Sequence, residues 1–535
     1  MRKTSLVILL AVLALGAFFR FYRLAETPPG LYPDEAMNGS NAQEALATGH
    51  FKVFYPENNG REGVFINLQA ISVAAFGSTP WALRVVSAIM GILTIAAIYL
   101  VARELTARRA TALLAAFFTA VSYWHINFSR IGFRAIMLPL VACLGMHFLL
   151  RGLRRGKPYD IIAAGLCTGL GLYTYIAFRF MVFVFAVPVL AAANQWRRAR
   201  KNKTARSVHC IPCSLAMYVF VAFVAIIPIG LYFTAHPQDF VNRAGEISVF
   251  TAASPAKEIA RSAGLTLQMF FWRGDGNWRH NLPYAAQLHP LVAFLFLAGL
   301  VSLIRAYKTR RRESIILFVW FSAMLLPAAL TREGMPHALR AIGMIPPVMI
   351  LAAIGATAAY DGVNAWAARK KAVWPQKAVQ LERIRRELVI LGLLALLTIP
   401  LAAYRDYFLV WADKPQTYDA FDTGSLHLGQ YLADLPQETK KYVIVNTLGT
   451  PVRGIPMPAQ TVMFVTDTFA EEARARKNFS YVAGGSAGDI TLGAGRQTVI
   501  AILDGTDRAL IKTLQHTFPA LRVRAPGDFV IFQDY

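Results

Sequence analysis

Residues 5–35 read SLVILLAVLALGAFFRFYRLAETPPGLYPDE, and the fold class follows from how this stretch is understood. Its first half, 5–19, is uncharged and is preceded by Arg2 and Lys3. That is the layout of a signal peptide, but it has no convincing small-x-small cleavage site and further apolar runs follow it, so an uncleaved first membrane span is expected. The second half ends in Tyr32-Pro33-Asp34-Glu35, two carboxylates close to that span. Proline at a first helical position needs no amide hydrogen bond, and acids in a first turn face the positive end of the helix dipole. Taken alone, this is a well-started helix. Its position beside a membrane adds a second reading, because polar groups held near lipid often mark function.

Outward from this stretch the chain stays apolar. Of 535 residues, 56% are hydrophobic and 16% charged, with a mean hydropathy of +0.42, beyond ordinary soluble compositions. Ten further windows could cross a hydrocarbon core of about 30 Å: 81–101, 111–128, 135–150, 161–177, 180–193, 211–233, 291–306, 315–330, 342–359 and 388–403. The expected fold is therefore a mainly α polytopic membrane protein of about eleven transmembrane helices. From Asp406 onward, strand-length runs at 442–445, 462–465, 499–503 and 529–532 alternate with helical segments at 470–477 and 508–516. This predicts a C-terminal soluble α/β domain, 406–535, after a membrane domain, 1–405.

The formal charge of +24 lies in short clusters between the apolar runs. Arg103, Arg108 and Arg109, then Arg151, Arg154, Arg155 and Lys157, then 197–206, 305–312 and 369–386, fall in alternate loops and read as cytoplasmic. The polar loops 23–80 and 235–289 and the C-terminal domain then face outward, with the N-terminus inside a cytoplasmic (inner) membrane. No basic patch interleaved with aromatics lies elsewhere, which argues against nucleic acid as a partner. Cys143 and Cys167 lie in apolar segments, and Cys210 and Cys213 form a lone C-x-x-C read as interfacial thiols. In the first loop, 35–47 reads as an amphipathic helix, 51–60 as an extended link and 64–76 as a second short helix, both helices suited to the membrane interface.

A first span, a loop with an acidic pair and two short helices, and about ten more spans resemble the GT-C glycosyltransferases, and most of all the protein O-mannosyltransferase branch, glycosyltransferase family 39. The resemblance covers roughly the first 400 residues. It is carried by Pro33-Asp34-Glu35, Ser129-Arg130 with Gly132-Phe133-Arg134, and Pro336-His337-x-x-Arg340. It implies a sugar, mannose or another hexose, passing from a polyprenyl-phosphate donor to a protein hydroxyl or lipid-linked glycan, with membrane lipids as surroundings. In that family the first-loop acid is the general base, which implies this role for Asp34 with Glu35 as its neighbour. An oxocarbenium-like transition state lets the acceptor proton leave late, so one carboxylate suffices and inversion is expected.

The leaving phosphate calls for charge stabilisation, and Arg130, Arg134, Arg179 and Arg340 stand at outward ends of spans, where topology does not require them. The alternative for each is an arginine snorkelling to lipid head groups. His337 could donate to phosphate. Glu62, in Arg61-Glu62-Gly63, is either a substrate-binding residue or the cap of the second loop helix. The segment 272–280, WRGDGNWRH, mixes aromatic and polar groups as sugar-binding loops do, and reads equally as a turn-rich loop. Ile136 and Met137 occupy the region where the branch carries a further acid, so no such role is transferred. The chemistry requires no metal, although a divalent ion is compatible with it, and no histidine–acid cluster at ligand spacing is visible in the sequence. The competing reading is a multi-span transporter or flippase of a lipid-linked or anionic solute; a sensor whose output is the C-terminal domain is a third.

Overall fold

The computed structural model describes residues 3–202, 210–240, 248–492 and 497–534. Residues 203–206 of the basic loop at 197–206 and residues 241–247 of the loop at 235–289 lie outside the described residues. The chain divides into two compact units. The first comprises Met1–Tyr22, Ser87–Ser129 and Arg134–Trp411; the second comprises Arg23–Val86, Arg130–Phe133 and Ala412–Tyr535. A division at 405/406 separates membrane spans from tail by composition, whereas packing groups the first polar loop with the tail.

The first unit is helical, and each of the eleven apolar windows contains a helix. Among the described residues, eight helices are long and apolar enough to cross a membrane: Lys3–Phe21, Pro80–Thr106, Arg134–Arg155, Ile176–Lys201, Ile211–Ala235, Arg311–Ala329, Ile342–Val373 and Pro375–Trp411. The other three windows hold shorter helices, Arg109–Ala120, Pro158–Leu170 and Pro290–Arg305, of 12, 13 and 16 residues. At 1.5 Å per residue these reach about 18–24 Å, short of a hydrocarbon core. The first of them stops where Ser122 caps the helix Tyr123–Phe128, and the second gives way to a 3₁₀ turn at Gly171–Tyr173.

Close packing comes from small residues. A Cβ on Gly299 would overlap the Leu351 carbonyl, and one on Gly355 that of Leu295, so the helices Pro290–Arg305 and Ile345–Val373 meet backbone to backbone. Arg20, fully buried, donates to the Gly16 and Ala120 carbonyls at 2.9 Å each, so the end of the first span is tied to the end of Arg109–Ala120. Cys210 and Cys213 are not free thiols: they are joined in a disulfide, their Cα atoms brought to 5.3 Å by a first helical turn.

The second unit is built on a five-stranded sheet. Its strands, in spatial order, are Phe479–Ala483, Lys440–Val445, Thr498–Ile502, Val530–Gln533 and Arg522–Arg524. The first three run parallel and the last two pair antiparallel. Alternation along Lys440–Val445 sends Tyr442 and Ile444 to a core with Ile500, Leu514 and Phe532, and Val443 to a core with Leu428, Val462 and Ile531. Both faces are thus covered, which is why these strands read as continuous apolar runs.

One expected strand is a helix. Residues 462–465 lie in Gln460–Thr466, and a continuous four-residue apolar run, three of its residues buried, has no period to distinguish the two states. The helix Pro33–Thr48 also differs from expectation. Glu35 through Ala42 are all buried, so it does not present one apolar face to an interface. Met37 joins a cluster with Val445, Met457 and Met463, while Leu31 and Ala36 join one with Leu426 and Phe464. The Phe464 ring occupies the space a side chain at Gly39 would need. The second loop helix, Gly63–Phe76, leaves Ile71 and Phe76 exposed.

Candidate active site

The acidic pair is split by its surroundings. Pro33 opens the helix with Tyr32 as an extended N-cap, and Asp34 and Glu35 fill the first turn. Successive residues on a helix point roughly 100° apart, and here the two carboxylates meet different environments. Asp34 is partly exposed, and its Oδ1 accepts a 2.5 Å hydrogen bond from Asn58 Nδ2. Asn58, Asn59 and Gly60 take φ values of 52°, 61° and 80° in succession. Asparagine and glycine tolerate this left-handed geometry best, which explains the Asn-Asn-Gly triplet and how the Asn58 amide comes to face Asp34.

Glu35 is fully buried. Arg84, also without exposed side chain, approaches it with Nε at 3.2 Å, and the Gly132 N–H donates to the same Oε2 at 2.7 Å. Arg84 further donates to the Pro28 and Gly30 carbonyls at 2.7 and 2.8 Å. Glu35, which the resemblance sets beside Asp34 as a catalytic residue, has its oxygens engaged in tying residues 28–35 to Arg84 and Gly132. Arg130 is likewise buried, with Nη2 on the Thr27 carbonyl at 2.7 Å. Arg61 reaches back to Asn38 Oδ1 at 2.7 Å and also donates to Asn41, while Glu62 pairs with Phe54 across a short ladder. Glu62 occupies the N-cap position of Gly63–Phe76, as its second reading expects, without a side-chain capping bond.

The second unit's tail also grips the loop. Arg453 pairs with Glu44 at 2.8 Å and with Glu57 at 3.1 Å. Burial works to raise the Glu57 carboxyl, but hydrogen bonds from its own backbone and from Arg453 prevail and hold it below its ordinary range.

In the first unit, sequence reasoning missed a cluster. His280 Nδ1 lies 3.0 Å from Asp275 Oδ2, and the Ala338 N–H donates to that same oxygen at 2.8 Å. His337 stacks beside His280 with ring centroids 4.7 Å apart, and its Nδ1 accepts from the Arg340 N–H. One donor atom from each of Asp275, His280 and His337 falls within 4.8 Å of the others. Burial lowers the His280 pKa against the pull of Asp275, and Arg279 and Arg340 push the same way as burial. Arg340 donates to Thr331 Oγ1 at 2.9 Å and to the Glu333 carbonyl at 2.7 Å. Of the sequence-expected binding residues, the structure therefore brings His337 and Arg340 together. Arg134 lies over the Tyr175 ring at 5.7 Å, and Arg179 lies over Phe240 at 3.8 Å while donating to its carbonyl. The same unit contains a cavity of about 690 Å³ whose lining runs from Val292, Met349 and Ile399 to His289, Arg405 and Asp406.

Residues 64–232 match the family model described as dolichyl-phosphate-mannose-protein mannosyltransferase. Two solved structures of ArnT from Cupriavidus metallidurans, one bound to undecaprenyl phosphate and one in the apo state, align over 100% of this chain and 99% of their own. Both are 17% identical to it, with TM-scores of 0.58 and 0.59. The chain has the GT-C fold. This GT-C assignment agrees with the resemblance carried by the acidic pair and the span pattern, and it rests on the whole chain, C-terminal α/β region included. The oligosaccharyltransferase of Archaeoglobus fulgidus in its apo form aligns over 87% of this chain and 64% of its own, at 14% identity and a TM-score of 0.49. No curated protein sequence matches significantly.

Proposed function

We propose that this GT-C protein is a glycosyltransferase that moves a hexose from a polyprenyl-phosphate donor to a hydroxyl of a protein or lipid-linked glycan. The reaction is placed on the outer face of the cytoplasmic membrane, and the anomeric centre inverts. The observation that carries the reading is the contrast within the acidic pair: Asp34 is partly exposed and held by Asn58, on a first turn locked in place through Glu35. A base must reach the proton it abstracts while its support stays still. In the transfer step the acceptor oxygen bonds to the anomeric carbon, the bond from that carbon to the phosphate oxygen breaks, and Asp34 takes the acceptor proton.

The phosphate leaves as an anion, and Arg134, Arg340 and His337 are assigned to it. Arg130, buried on the Thr27 carbonyl, and Arg179, stacked on Phe240 and donating to its carbonyl, act as positioning residues in this reading. The cavity with an apolar wall and polar end suits a lipid chain with a charged head, the ligand class named for the ArnT structure. Purified protein in liposomes, given a polyprenyl-phosphate hexose and a hydroxyl acceptor, should yield glycosylated acceptor of inverted configuration. Movement of the intact donor across the bilayer with no transfer would replace this reading with the flippase.

A further inference from the structure

Asp275, His280 and His337 have no assigned task in the transfer beyond the contact given to His337, yet their donor atoms converge. They come from two loops, separated by more than fifty residues, that meet inside the first unit. The loop 275–284 is rigid by construction. Asp275 Oδ1 accepts from the Asn277 N–H at 2.8 Å, its carbonyl accepts from the Tyr284 N–H at 3.0 Å, and the His280 N–H donates to the Asn277 carbonyl at 2.9 Å. Asn127 Nδ2 holds the Arg279 carbonyl at 2.8 Å, and the Phe128 ring packs on His280. Asp275 and His280 are 2% and 4% exposed, and His337 is at the partly exposed edge.

We infer that Asp275, His280 and His337 form a binding site for a transition-metal ion of the zinc class. The 3.0 Å between Asp275 Oδ2 and His280 Nδ1 is close to the edge of a tetrahedron around zinc, about 3.3 Å for bonds of about 2.0 Å. A metal entering there takes the place of the proton shared by this pair. Two imidazoles and one carboxylate select zinc, nickel or copper over magnesium and calcium, which favour all-oxygen shells. The positive charges of Arg279 and Arg340, both felt at His280, weigh further against hard cations held mainly by electrostatics. Metal binding takes the neutral imidazole, and the geometry of the three donors stands apart from any titration of His280. Three protein donors leave one position for water or an anionic oxygen. Because Asp275 already holds Ala338, and His337 holds the Arg340 N–H, the ion would staple the two loops and fix the backbone that presents Arg340. This inference does not depend on the transferase reading; with Nδ1 on the Arg340 N–H, His337 has only Nε2 for the ion, and the phosphate is then left to Arg134 and Arg340.

The test uses the full chain in lipid nanodiscs, carrying a histidine-free tag and the Cys210→Ser/Cys213→Ser changes, since a reduced cysteine pair binds zinc by itself. After chelator treatment and zinc titration, calorimetry and metal analysis should give one zinc per chain, not displaced by excess magnesium. His337→Ala, at the exposed edge, should weaken zinc at least tenfold and abolish the rise in melting temperature that zinc confers on the parent. Cobalt in the parent should show the intense visible bands of a tetrahedral site, lost in His337→Ala and in His280→Gln. Zinc binding equally to parent and both variants, or no binding by a folded parent, would overturn the assignment.

Discussion

Glu35→Gln removes one negative charge and little else, and the structure makes it a severe change. Glu35 and Arg84 have no exposed side-chain surface, and the guanidinium stays fixed by the Pro28 and Gly30 carbonyls. Arg84 cannot shed its proton, so the variant buries a cation whose counter-charge is gone. Breaking a buried pair from one side costs about 3–5 kcal/mol. Glutamine can still accept from the Gly132 N–H and from Arg84 Nε through one oxygen, but its amide NH₂, a donor, then replaces the Oε1 that faces Arg84 Nη2. At about 2–4 °C per kcal/mol for a unit of this size, the unfolding midpoint should fall by roughly 6–20 °C. Tryptophan fluorescence on detergent-solubilised protein can read this. Replacing both partners with apolar residues, Glu35→Leu with Arg84→Met, should recover much of the loss, because no unpaired charge remains. A Glu35→Gln protein that melts within 1 °C of the parent yet fails in transfer would refute the reasoning and return Glu35 to the reacting centre.

Asp422 supplies a pH test. Burial raises its pKa from 3.8 to about 6, so between these values the folded chain keeps a proton that the unfolded chain has released, and stability falls as pH rises from about 4 to 6. Asp422→Asn should keep the Ser425 Oγ bond and the left-handed backbone at φ 51°, remove that fall, and raise stability above pH 6 by on the order of 3 kcal/mol; equal slopes in parent and variant melting curves over pH 4–7 would contradict it. Gly39→Leu should drive a side chain into the Phe464 ring and cost about 1–3 kcal/mol, seen as faster proteolysis of the second unit; unchanged proteolysis would mean the two helices are not in this contact.

The membrane helices were legible because apolar length is a local signal: each window found in the sequence contains a helix, and eight of the eleven hold one long enough to span. The three short ones show where that signal stops, since Ser122 and Gly171 end helices by capping and turn geometry inside runs that remain apolar. The strand Arg522–Arg524 was invisible because its residues are exposed at a sheet edge, and 462–465 was misassigned because a continuous apolar run carries no period. Pro33-Asp34-Glu35 could be singled out in the sequence, but not the different surroundings of its two carboxylates. That difference depends on Arg84, Gly132 and Asn58, which only folding brings to the pair. The Asp275–His280–His337 cluster was missed for the same reason, as His337 comes from a different loop.

In the proposed transfer the Asp34 carboxylate accepts the acceptor's proton. Single-turnover transfer by Asp34→Asn protein in lipid, with binding of the polyprenyl-phosphate donor measured on the same sample, tests it most directly. The amide keeps an oxygen for Asn58 and preserves the helix start, so folding and donor binding should match the parent. Loss of a general base should slow transfer by about 10²–10⁴-fold. Transfer within a few-fold of the parent, with donor binding intact, would mean that Asp34 is only a first-turn acid and that the base lies elsewhere.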